Sequence, residues 1–206
     1  MSIVLVGSTS GSCTLQEQAV AGNTVLTLPT TSGTVLTTGS SGQSIPKAAL
    51  PTGSVLQVVS TTKTDTFTTT ATSFTDITGL SVSITPTSAS SKILVFVNVN
   101  GSQQYGANRV ALRLLRDSTT IDAGTAVGSR QAAFGGFGTP DSTIPSATVS
   151  GNHLDSPATT SSITYKMQVA CIAGGGTAYV NRTQADGDES GQIRMPSNIT
   201  VMEIAA

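Results

Sequence analysis

Ile163-Thr164-Tyr165-Lys166-Met167-Gln168-Val169-Ala170-Cys171 alternates in character over the length of one strand. Ile163, Tyr165, Met167, Val169 and Cys171 share one face, and Thr164, Lys166 and Gln168 share the other. A period of two sets the first group against a core and the second toward water. Gly174-Gly175-Gly176 then turns the chain into Thr177-Ala178-Tyr179-Val180.

The same pattern recurs on both sides. Leu80, Val82 and Ile84 alternate with serines until Pro86 ends the run. Ile93, Val95, Val97 and Val99 form one face of 92–100, while Leu94 and Phe96 begin a second face that turns polar at Asn98. Such a strand is central, with one end reaching solvent. Val110, Leu112 and Leu114 alternate with Arg109, Ala111 and Arg113 before Asp117-Ser118 turns into Thr119-Thr120-Ile121, a hairpin pattern. Leu and Arg also suit a helix over 107–116, but Gly106 and the Asp-Ser turn frame a segment of strand length. Residues 54–60 and 199–204 complete a set of at least seven strands. The expected architecture is all-β, a jelly-roll-like β-sandwich.

Composition agrees. Charged residues are only 10 % of the 206, and aromatics 4 %. Ser and Thr supply about thirty per cent. Thr and Val favour a pleated backbone, and Gly, Ser and Pro favour turns. So few charges would leave a lone molecule poorly solvated. Burial of surface between copies is the expected resolution, with hydroxyls hydrating the rest. The net charge of −1 and the lack of a basic stripe argue against a nucleic-acid partner. No apolar run approaches the length that spans a bilayer. Residues 1–7 are too short for a signal sequence and no basic residue precedes them, so the expected site of synthesis is the cytoplasm.

Residues 1–45 have a different texture. Thr24-Val25-Leu26-Thr27 recurs as Thr34-Val35-Leu36-Thr37, with Leu28-Pro29-Thr30-Thr31-Ser32-Gly33 between. This ten-residue beat suits stacked short strands that cannot bury a core alone. A flexible Ser/Thr/Gly tail is the alternative. Gly39-Ser40-Ser41-Gly42 and the prolines at 46 and 51 mark a linker. The expected organisation is a β-rich anchoring and oligomerisation segment over 1–50 and a β-sandwich domain over 51–206. Val25, Leu26, Leu28, Val35 and Leu36 are the candidate anchoring residues.

No catalytic or metal pattern stands out, and no cofactor is expected. The single histidine, His153, lies near Asp155 without a Gly-x-Ser-x-Gly nucleophile motif. Cys13 and Cys171 read as unpaired small apolar residues without metal-ligand spacing. Asp186-Gly187-Asp188-Glu189 could hold a hard cation but departs from the EF-hand loop and reads better as a solvated turn. Paired carboxylates of the glycosidase kind are not apparent. Residues 128–160, rich in Gly, Ser and Pro, are expected to form a long irregular loop. With the 181–191 segment it supplies the candidate receptor contacts Phe134, Phe137, Asn152, His153, Asn181, Arg182 and Gln184.

Residues 7–15, 19–29 and 32–38 together resemble the opening of many tailed-phage virion proteins of the fibre-like type, including those of cyanophages. Residues 85–95 and 115–121, with the closing strand, resemble the β-domain that often follows. The resemblance implies a homotrimer within a virion, attached to other tail or capsid proteins through its N-terminal segment. Its distal domain would contact host surface polysaccharide. The repeat begins close to Met1, where such fibres often carry a longer anchor, which keeps a capsid decoration protein in view. A cellular trimeric sandwich of the tumour-necrosis or complement type is a third possibility, and an enzyme the weakest.

Overall fold

The computed structural model describes residues 2–6, 12–16, 47, 50–104, 109–137, 146–172 and 175–206. Two units divide the chain, Met1–Ile45 and Pro46–Ala206. In the first, β1 (Ser2–Val6) pairs antiparallel with β2 (Ser12–Gln16), Val4 opposite Thr14. The repeat at 24–37 and the five candidate anchoring residues lie outside the described residues.

The second unit is a β-sandwich. Its strands are β3 (Val55–Lys63), β4 (Phe67–Thr69), β5 (Thr75–Ile84), β6 (Lys92–Gln103), β7 (Val110–Arg116) and β8 (Thr119–Asp122). After them come β9 (Gly135–Phe137), β10 (Ala147–Asp155), β11 (Ile163–Cys171), β12 (Ala178–Val180) and β13 (Ser197–Ile204). In the first sheet β6 is central: β10 runs along one side, and β13 followed by β3 along the other. Past the end of β13, β12 pairs with the last residues of β6 and carries β4. The second sheet runs β5-β11-β7-β8, with β9 also on β7. Every pairing within it is antiparallel.

One core lies between the sheets, and the alternation places it. Ile93, Val95, Val97 and Val99 of β6 and Ile199 and Val201 of β13 point inward from the first sheet. Leu80, Val82, Leu112, Leu114, Tyr165 and Met167 point inward from the second. Burying a side chain of this size stabilises by about 1.5–3 kcal/mol before ordering costs are counted. The Asp117-Ser118 hairpin forms as its sequence suggests, joining β7 to β8 with Asp117 at φ 53°. Cys171 is a free thiol in the core.

The 128–160 stretch differs from the long loop expected of it. It contains β9 and the nine-residue β10, paired with β6 from Asp155–Ile93 to Ala147–Gly101. Its inward positions are Ala147, Val149, Gly151, His153 and Asp155. Small and polar residues there hid the period of two. Gly151 is there because Phe134 occupies the space: a Cβ on Gly151 would stand 2.7 Å from the Phe134 ring. Gly101 on β6 is likewise close to the Phe137 ring, 2.8 Å from its would-be Cβ.

Candidate functional site

The seven candidate receptor contacts do not form one surface. Phe137 is 1 % exposed and belongs to the core, and Phe134 packs against the core from its edge. Both rings fill space left by glycines, so Phe137 has no face to offer a ligand. Asn181 is fully buried at φ 65°. Its Nδ2 donates to the carbonyls of Lys63 (2.8 Å) and Asp65 (2.9 Å), and its Oδ1 accepts from Ser197 Oγ. These contacts tie the β12–β13 connection to the end of β3, which is a structural task. The receptor assignments of Phe137 and Asn181 are therefore corrected.

Asn152 and His153 lie on β10, Asn152 exposed and His153 half-buried. His153 Nδ1 is 3.7 Å from Asp122 Oδ2. Arg182 stacks on Tyr179, with its guanidinium carbon 4.5 Å from the ring centroid. The Arg182 guanidinium donates to Asp186 (2.9 Å) and to the carbonyl of Gln184 (2.9 Å). Arg194 grips Asp186 from the other strand of this loop, at 2.9 and 2.8 Å. Hydrogen bonding from Arg194, outweighing partial desolvation and joined by Arg182, holds the Asp186 carboxyl below the usual carboxylate range. Asp186 is thus committed to two guanidinium groups. Among the described residues no group of three or more His, Cys, Asp or Glu side chains could hold a metal ion. The tip of the loop, 187–191, is exposed, as are Ile193 and Arg194 on its return limb, while Gln192 between them is half-buried.

Other charged groups are absorbed in the scaffold. Arg116 Nη1 donates to both Asp155 oxygens, at 2.9 and 2.8 Å, and Tyr165 Oη donates to Asp155 Oδ2 at 2.8 Å. Burial, then the adjoining Asp155, keeps the Tyr165 phenol far above its ordinary pKa. Glu203 is fully buried with no cation against it among the described residues: Thr87 N and Oγ1 each donate to it at 2.7 Å, and Gln57 Nε2 at 2.6 Å. Burial alone would raise the Glu203 pKa, but these donors outweigh it and the carboxyl sits below its ordinary value.

A further surface emerges only from the register. Leu154, Leu94, Met202 and Val58 stand side by side across β10, β6, β13 and β3, on the outward face of the first sheet. Phe96 occupies the next row, and Val55 pairs with Ile204 beyond a bulge. Val58, Leu154 and Val55 are about half exposed and Phe96 40 %. The sequence shows Leu94 and Phe96 as an apolar start to one face of one strand. It does not show which residues of three other strands stand beside them.

A depression of about 380 Å³ lies at one end of the same sheet, lined by Leu50, Leu56, Ser88, Ser90, Ser91 and Ala206 among others.

No protein-family model matches the chain, and no curated protein is similar to it in sequence. Among solved structures it is similar to a mutant VP2 protein of infectious bursal disease virus in derived T=1 particles. There the identity is 16 % over 73 % of this chain, with a TM-score of 0.36. A second likeness is to infectious bursal disease virus of the Gx strain, 20 % identical over 73 % of the chain, TM-score 0.35. A third is to the Gt strain, 14 % identical over 97 %, TM-score 0.30. This chain spans 36 %, 37 % and 44 % of those three chains.

Proposed function

We propose that this protein is a non-enzymatic structural component of a virus particle, a fibre-type chain that assembles as a homotrimer and meets the host surface. The observation that carries the reading is the outward face of the first sheet: apolar, half exposed and almost without charge. Contiguous exposed apolar patches of this kind mark association surfaces. The low overall charge supports the same reading, and so does the resemblance of 7–38 to the openings of phage fibre-like proteins. The host contact would fall to the exposed 187–191 tip, acting weakly in each copy and gaining avidity from three.

A capsid decoration protein is the second reading, since an uncharged apolar sheet face also suits a shell surface. Reconstruction of purified particles by electron microscopy, with quantitative protein analysis, tests both. A few trimers on the tail fit the fibre. Hundreds of copies over the shell overturn it in favour of decoration. Absence from the particle overturns both.

A further inference from the structure

We propose that copies of this chain pack against one another through the outward face of the β10-β6-β13-β3 sheet, around the band Leu154, Leu94, Met202 and Val58. The inference rests on the homotrimer reading and names its interface.

Exposure points to this face. Of seven large hydrophobic residues left exposed among the described ones, Val55, Val58, Phe96 and Leu154 are all here. Charge points the same way. Lys92 is the single ionisable residue that the four strands turn outward. The other sheet turns out Asp76, Lys166 and Arg113, which a copy of the chain would have to desolvate. A surface meeting its own copy gains most from being neutral, because a charged one sets like against like.

Several hydroxyl and amide groups at the polar end of the face bond to one another. Ser60 Oγ and Thr200 Oγ1 are 2.7 Å apart. Thr148 Oγ1 donates to Asn100 Oδ1 at 2.5 Å, and Asn100 Nδ2 donates to Asn98 Oδ1 at 3.0 Å. Groups bonded to one another lose less on drying than groups bonded to water.

Size fits as well. Four strands about 4.8 Å apart and nine residues at about 3.4 Å cover roughly 600 Å² in projection. Pleated side chains expose more than their projection, which approaches the roughly 800 Å² per partner of a stable interface.

Methionine oxidation reads the interface directly. Met202 lies in the band, while Met195 lies outside it, and both are half-buried in one copy. The full-length chain is weighed by native mass spectrometry and treated with dilute peroxide. In the oligomer, Met202 is expected to oxidise at least about fivefold more slowly than Met195. The double variant Phe96→Lys with Leu154→Lys, at two outward positions, should abolish that protection. It should do so whether or not residues 1–45 still hold the chains together. An oligomer in which Met202 reacts as fast as Met195 overturns this interface and leaves the trimer standing. A wild-type chain that stays monomeric at tens of micromolar overturns the trimer and the interface with it.

Discussion

Asn181 and Ser197 meet at 2.5 Å in the interior, the serine hydroxyl donating to the asparagine Oδ1. Ser197 Oγ also accepts from the amide of Asn100, while the Asn181 amide donates to the Asn100 carbonyl. One asparagine in a left-handed conformation thereby joins β3, β6 and β13. Asn tolerates that conformation better than most residues. Asn181→Ala would leave the Lys63 and Asp65 carbonyls without this donor and place a Cβ residue with no local compensation at φ 65°. The expected loss is about 2–4 kcal/mol, read as a lower denaturant midpoint. Asn181→Asp should lose a similar amount, since a carboxylate cannot donate to those carbonyls.

Glu203 predicts an acid-sensitive domain. Its pKa in the folded protein lies below the ordinary 4.5. The unfolded chain therefore binds the proton more readily than the folded one. The Glu203 contribution is fully present above about pH 4.5 and is lost as pH falls through the lower folded value. Glu203→Gln should flatten this part of the stability profile and cost about 1–3 kcal/mol near neutral pH, because one acceptor becomes a donor facing donors. Chemical denaturation of both proteins between pH 2 and 7 checks it.

The Arg116–Asp155–Tyr165 cluster predicts a graded series. Asp155→Asn leaves Arg116 without its anionic partner near the core and should cost about 3 kcal/mol. Tyr165→Phe removes one hydrogen bond and keeps the ring, for about 1 kcal/mol. A double-mutant cycle between Arg116→Met and Asp155→Asn should return a coupling above 1 kcal/mol, of about 1–3. A coupling near zero would make the pair incidental.

Gly151 predicts steric coupling to Phe134. Gly151→Ala forces a methyl group against the ring, and overpacking of this kind costs about 1–3 kcal/mol. Phe134→Leu in the same chain should recover part of that loss. Urea melts of the two single variants and the double variant decide it; simple additivity would show that the ring can move aside freely.

Much of the sandwich was legible where strands carry large alternating residues. Leu80, Val82 and Ile84, or Ile163, Tyr165 and Met167, announce both their strand and its inward face. β10 was not legible, because its inward positions include Ala147, Gly151 and His153, and at Gly151 the Phe134 ring takes the space a side chain would need. The same gap misled the reading of Phe134 and Phe137. Aromatic residues among glycines look like an exposed loop in one dimension, and here the glycines are the space the aromatics fill. Asn181 failed differently: a polar residue after a strand reads as surface, whereas this one satisfies buried carbonyls from a segment 118 positions away. The apolar band on the first sheet needed strand register, which no single segment contains.

The sandwich begins and finishes at one point. Gly53 N donates to the Ala205 carbonyl at 2.8 Å, and Ala205 N donates to the Ser54 carbonyl at 2.9 Å. β3 and β13 leave that point side by side and antiparallel. A pull applied at Ser54 and Ala205 therefore loads this ladder one rung at a time, like a zipper, and opens it at low force. A load entering at Ser54 and leaving through the far side of the sheet, at β10, would strain the rungs of several ladders together. How firmly this domain resists a tug depends on which of its surfaces is held, more than on how stable it is at rest.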